Sequence, residues 1–172
     1  MRNAESSKGG CVKVFVLLSM TIIVFGCSDN GVSVPPEIPV NQLLDSPDTI
    51  LVDNRQLCLS TDMWRDFQPN SPPNGKPLIS FIYVTATDTA QLPSSISTDA
   101  VWIVYNNQVW KSWFTNEPIA RDLLKPNRIV KIAREGPKWG PDVNVDVIVR
   151  VYDGKGTQLL LRAPNQWIYR AD

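Results

Sequence analysis

The chain has 172 residues, with 17 Lys and Arg against 17 Asp and Glu, so its formal net charge is zero, and it contains no histidine. This balance offers no basic excess to attract a phosphate backbone, which argues against nucleic-acid binding. Without histidine, Ser-His-Asp and Cys-His catalysis are excluded and the commonest zinc and copper ligand is missing, so we expect neither an enzyme nor a bound metal or cofactor.

The first 26 residues have the layout of a secretory signal. Arg2, Lys8 and Lys13 precede an uncharged, strongly apolar run over 14–26. As a helix, this run would be about 20 Å long at about 1.5 Å per residue, which is too short for a hydrocarbon core of about 30 Å. A basic flank followed by a short apolar stretch predicts a signal peptide that is removed on export.

The apolar run ends in Val24-Phe25-Gly26-Cys27. This motif resembles the lipobox of bacterial lipoproteins, in which a small residue precedes a cysteine that receives a diacylglyceryl group before cleavage. Phe25 is bulkier than the residue usual at its position. The resemblance implies cleavage before Cys27, acylation of that cysteine and anchorage to a membrane of the cell envelope. In a Gram-negative cell, Ser28 implies the outer membrane, on its periplasmic or surface face.

Residues 27–47 are expected to form the lipidated N terminus and a flexible tether. The segment is polar at first and then contains the pair Pro35-Pro36, a composition that buries little apolar surface. Residues 48–172 are long enough for one domain with its own core. Helical signal is weak, with one or two turns predicted over 41–44 and 118–124.

Alternation with a period of two dominates the domain and predicts β-strands. It is clearest over 143–152, where every second residue is a valine. The turn signal of 153–156 follows and predicts a hairpin that continues over 157–162. A second hairpin is predicted around Asn106-Asn107, which places Tyr105 opposite Gln108. Further strands are predicted, over 49–53, 56–67, 77–87, 128–134 and 167–170.

This rhythm of about seven short strands predicts an all-β fold, an antiparallel β-sandwich. Over residues 48–172 the domain resembles the immunoglobulin-like or fibronectin type III-like modules of bacterial envelope lipoproteins. The resemblance rests on strand rhythm and not on a diagnostic motif. A small antiparallel barrel is the alternative.

Three tryptophans are candidate partner contacts. Trp139 lies in a stretch with two Gly-Pro steps, 136–142, and is either the anchor of a rigid recognition loop or, as we favour, folded over the end of the core. Trp110 and Trp113 have opposite parity on one strand, so both cannot face the same core. Six tryptophans in all would also suit a carbohydrate platform.

Acidic residues offer no catalytic pair. Asp62 and Asp66 share one face of a predicted strand, but at about 3.3 Å per residue they lie about 13 Å apart, too far to act together. Asp142, Asn144 and Asp146 resemble the opening of a calcium loop, but the glycine that its turn needs is missing, which favours the solvent face of a strand.

The sequence therefore predicts a membrane-anchored envelope lipoprotein with a non-catalytic immunoglobulin-like domain. Its partner would be an envelope protein or a glycan, or it would support an assembly. One alternative is a sandwich-type protease inhibitor, which needs a rigid cluster of loops, and only 68–76 and 136–142 are candidates for it. The other is a carbohydrate-binding module, which needs exposed coplanar aromatic rings.

Overall fold

Eight strands and two short helices make up residues 33–172, the part of the chain that the computed structural model describes. The predicted signal peptide and Cys27 lie outside the described residues. In chain order the elements are α1 (Val40–Leu44), β1 (Thr49–Val52), β2 (Arg55–Asp66), β3 (Leu78–Ala86), β4 (Ser97–Tyr105), β5 (Gln108–Trp113), a 3-10 helix (Arg121–Leu123), β6 (Arg128–Gly136), β7 (Val143–Tyr152) and β8 (Gln158–Ala171).

The described strands form one sheet in the order β5-β4-β7-β8-β2-β3-β6, with β1 paired to β2 beside this path. Neighbours run antiparallel except for β2 and β8, which are parallel. The two ends of the order approach each other, because the N–H of Thr115, just after β5, donates to the carbonyl of Ile132 in β6 at 2.9 Å. The sheet is thus curled into a half-barrel.

The all-β prediction is confirmed, but the antiparallel immunoglobulin-like sandwich is not. A sandwich has two packed sheets, whereas here a single mixed sheet curls around its own core. The architecture is nearer to the barrel alternative, with one parallel pair added. Strand rhythm cannot tell these folds apart, because it reports which residues alternate and not which strands pair.

Both predicted hairpins are confirmed. In the β4–β5 hairpin, Tyr105 lies opposite Gln108, and Asn106 and Asn107 have the positive φ angles (48° and 62°) that a two-residue turn requires. In the β7–β8 hairpin, the turn of residues 153–157 is closed by hydrogen bonds between its first and last residues.

β8 is one continuous strand of 14 residues, where the sequence predicts two separate segments. Pro164 interrupts the alternation and has no N–H to donate. The strand accommodates it with a bulge, seen as a register shift against β7 and a positive φ of 54° at Asn165. The break in the alternation at Pro164 is therefore a bulge within β8 and not the end of a strand.

The main core fills the inside of the curl. Valines 145, 147, 149 and 151 of β7 are at most 2% exposed there, as their alternation predicts. Inward side chains of β2, β3, β4 and β8 pack against them.

A smaller core lies on the outer surface of β4 and β7. Residues 33–47, here called the N-terminal strap, run across it, and Leu43 of α1 is fully buried beside Trp102 and Ile148. Part of the segment predicted as a tether, around Leu43, is therefore packed. The reason is that Leu43 and its apolar neighbours in the strap cover an indole that would otherwise face water.

Polar contacts hold both ends of the strap. At one end, the indole N–H of Trp113 donates to the carbonyl of Ser33 at 2.8 Å. At the other end, Arg162 of β8 donates through its guanidinium to the carbonyl of Leu44 (2.6 Å) and through its backbone N–H to that of Pro47 (2.9 Å). The strap thus spans the outer surface from β5 to β8. Neither helix within residues 33–172 is long and apolar enough to cross a membrane.

Candidate functional site

The three tryptophans nominated as partner contacts are all partly buried. Trp110 and Trp113 lie on opposite faces of β5, as their parity predicts. Trp110 packs against the main core and Trp113 against the smaller core under the N-terminal strap.

Trp139 closes one end of the main core. Its ring lies 5.6 Å from that of Tyr105, between centroids, and its indole N–H donates to the side-chain oxygen of Gln108 at 3.2 Å. The structure thus places Trp139 against the β4–β5 hairpin and not at the tip of a free loop.

The two candidate loops for a rigid cluster do lie together, clamped by a buried arginine. Arg65 is only 3% exposed and donates to the backbone carbonyls of Asn74, Lys76 (3.0 Å), Lys138 (3.1 Å) and Gly140 (2.6 Å). A further bond joins the loops directly, from the ammonium of Lys138 to the side-chain oxygen of Asn74 at 2.8 Å. Because one guanidinium serves both loops, they form one rigid corner of the molecule.

The half of the outer surface that the strap leaves open carries a group of aromatic side chains on β3, β2 and β8. Trp167 and Tyr169 are 48% and 37% exposed, and the others are partly exposed. We call this group the outer aromatic face: Trp64, Phe81, Tyr83, Trp167 and Tyr169.

Three of these rings form a stack across three neighbouring strands. The Trp64 ring lies 5.3 Å from Phe81 and 6.0 Å from Tyr169 between centroids, at interplanar angles of 23° and 22°. These separations and small angles are those of rings stacked with a lateral offset. Rings stacked on one another do not form the coplanar platform that the carbohydrate alternative requires.

Asp62 is an exposed carboxylate in the middle of the outer aromatic face. On β2 it precedes Trp64 by two residues, so both lie on the same face, and it pairs directly with Phe81 of β3.

On the other side of Asp62 lies β8. The hydroxyl of Thr61 donates to the side-chain oxygen of Gln166 at 2.8 Å, which extends the parallel register of the two strands. One residue further along each strand, Asp62 of β2 therefore lies beside Trp167 of β8.

The charge of Asp62 is unpaired among residues 33–172, where no lysine or arginine lies within ion-pair distance of it. Asp66, on the same face of β2, contrasts with it: the ammonium of Lys76 lies 2.6 Å from its carboxylate, and this bond is the main reason why the pKa of Asp66 lies below its usual value. The hydroxyl of Tyr169 lies close enough to donate a hydrogen bond to Asp62. The carboxylate thus has a neutral partner but no cationic one within residues 33–172, and it can still accept a positively charged group from outside.

The two tyrosines of the outer aromatic face keep their protons. Burial of the rings is the main cause that raises the pKa of Tyr83 and of Tyr169, and the nearby charge of Asp62 raises both further. The guanidinium of Arg128 stacks over the Tyr83 ring at 5.0 Å. The face can therefore offer apolar contact, tyrosine hydroxyls and one carboxylate that has no cationic partner among residues 33–172.

A groove of about 230 Å³ near β6 is a weaker candidate. Its volume is below the roughly 300–1,000 Å³ typical of small-molecule sites. Among residues 33–172, no group of three or more acidic or cysteine side chains is placed to hold a metal ion. The lining residues are Thr115, Asn116, Glu117, Ile119, Val130 and Lys131.

The rings of the outer aromatic face are not among the residues that the sequence pattern singles out. Alternation alone gives Trp64 and Phe81 outward positions on their strands. The parallel pairing that brings Trp167 and Tyr169 beside them has no local sequence signal.

Comparisons of the chain with known protein families, with curated proteins and with solved structures find no match. What the molecule does must therefore be inferred from its own residues.

Proposed function

We propose that this protein is a lipid-anchored lipoprotein of the cell envelope whose domain binds a protein partner through the outer aromatic face. The observation that carries the binding role is the open aromatic group on β3, β2 and β8, where Trp167 is 48% exposed. Aromatic side chains are enriched in protein interfaces and dominate their energetics. The lipid anchor is supported by the lipobox-like motif at Cys27.

The two halves of the outer surface differ in how well their aromatic side chains are covered, and this difference supports the proposal. In one half, the N-terminal strap covers Trp102 completely. The outer aromatic face has no such cover within residues 33–172, so it retains apolar area that a partner can bury. Nothing in the proposal depends on kinship with immunoglobulin-like modules.

A glycan is the second candidate partner, favoured by one observation. Trp167 is exposed beside Asp62, and a carboxylate can accept hydrogen bonds from sugar hydroxyls. The rigid corner around Arg65 favours the protease-inhibitor alternative. However, Trp139, which would have to insert into the protease, is packed against Tyr105.

The binding role predicts position-specific cross-linking in intact cells. A photo-reactive amino acid at Tyr169 should give a reproducible adduct of one defined mass, because this ring lies within the proposed interface. The same group at Lys155, in the exposed β7–β8 turn, is the matched control and should give none. Trp167→Ser should abolish the adduct from position 169. Equal adducts from both positions, or an adduct that persists in Trp167→Ser, would contradict the role.

The anchor predicts that Cys27→Ser loses all label from a clickable palmitate analogue and accumulates as uncleaved precursor. The matched control is Cys11→Ser, which should be labelled like the wild type because Cys11 leaves with the signal peptide. Gel fluorescence and the mass of the N-terminal peptide report both results. Label that remains on Cys27→Ser would overturn the anchor.

A further inference from the structure

Asp62 lies within the surface that a partner of the outer aromatic face would cover. The carboxylate lies between Phe81 on β3 and Trp167 on β8, with Trp64 next along its own strand. A partner that buries these rings also removes Asp62 from water. Burial of an unpaired charge is strongly unfavourable, so a partner that fits must bring a compensating group.

We propose that the partner presents an arginine or lysine side chain to Asp62, and that the outer aromatic face recognises a basic segment of a protein. This inference rests on the proposed function and specifies the chemistry of its partner.

The surroundings of Asp62 suit a cationic side chain in two ways. The long methylene stems of lysine and arginine can lie along the aromatic rings while their charged heads reach the carboxylate. A guanidinium also gains from stacking over an aromatic ring, and the same face already holds such a contact, with Arg128 5.0 Å from the centre of the Tyr83 ring.

The charge of the face points the same way. Asp62 is the largest charge effect on Tyr83 and raises its pKa, Arg128 lowers it, and Asp122 raises it by less. Arg128 lies over Tyr83, but no cation of residues 33–172 pairs with Asp62 itself. At Asp62 itself the surface is therefore complementary to a positive group, and the carboxylate discriminates against an acidic partner.

The test compares two capped peptides that differ only in charge. Gly-Leu-Arg-Leu-Gly carries arginine, and its counterpart carries citrulline, which has nearly the same shape without the charge. Each is titrated into the full chain in non-ionic detergent micelles while the indole N–H signals of Trp64 and Trp167 are followed by NMR. We expect the arginine peptide to shift both signals, with a Kd about fivefold or more below that of the citrulline peptide.

Asp62→Asn should abolish this preference, because it keeps the shape of the side chain and removes its charge. Asp48→Asn is the matched control: Asp48 is exposed and precedes β1, which pairs with the first residues of β2 and not with the part that carries Asp62 and Trp64, so the preference should remain. Equal affinity of wild type for the two peptides, or no shift with either, would overturn the cationic partner.

Two further results separate this inference from the proposed function. If both peptides bind equally and Trp167→Ser abolishes both, the face binds protein but Asp62 does not select a cation. If an oligomer of N-acetylglucosamine shifts the Trp167 signal and neither peptide does, both the cationic segment and the protein partner are overturned in favour of a glycan.

Discussion

Replacing Arg65 with methionine is expected to lower the free energy of unfolding by about 3–5 kcal/mol. The side chain is 3% exposed and donates to four backbone carbonyls of two loops. Methionine fills similar space but donates nothing, so these buried carbonyls lose their charged partner, and each unsatisfied group costs about 1–3 kcal/mol before water enters. Urea unfolding followed by tryptophan fluorescence measures the change.

Two other substitutions test whether the loss of stability comes from the hydrogen bonds of Arg65 to both loops. Arg134→Met removes an arginine that is 41% exposed and paired with Glu117, and should cost no more than about 1 kcal/mol. Arg65→Lys keeps a positive charge but not the planar fork that reaches both loops, so it should lose most of the stability that Arg65→Met loses. If Arg65→Met were no worse than Arg134→Met, the clamp would have no structural role.

Leu43→Ala is expected to cost about 2–5 kcal/mol and to loosen the N-terminal strap. Leu43 is fully buried against Trp102 and Ile148, so truncation leaves a cavity where the strap meets the sheet. Besides the shift in urea midpoint, fluorescence quenching by acrylamide should increase, because Trp102 and Trp113 lie beneath the strap.

The control for this effect is Leu124→Ala. Leu124 is 54% exposed, so its truncation should change stability by less than about 0.5 kcal/mol and leave quenching unaltered. A destabilised Leu43→Ala protein with unchanged quenching would show that the leucine stabilises the domain without holding the strap over the indoles.

Local patterns predicted local structure well. The Asn106-Asn107 turn and the alternating valines of β7 depend on neighbours in sequence, and both are observed as expected. The packing of the strap was missed because its polar start and Pro35-Pro36 resemble a linker, while the value of Leu43 depends on Trp102, which lies far along the chain.

In the candidate site, too, local patterns could be predicted from the sequence and contacts between distant residues could not. Parity places Asp62 and Trp64 on one face of β2, and that much follows from sequence. The parallel pairing of β2 with β8 joins residues such as Thr61 and Gln166, which are 105 positions apart. No local pattern encodes that pairing, so Trp167 and Tyr169 could not be placed beside Asp62 before the fold was known.

The position of β8 also affects when the molecule can fold. β8 is the last of the described strands to be synthesised, yet it lies in the middle of the sheet, and the groups β5-β4-β7 and β2-β3-β6 are joined in the strand order only through it. The sheet cannot be completed until residues near 171 are available, and such long-range pairing is slow. Removal of β8 would therefore divide the centre of the sheet and not merely shorten one of its edges.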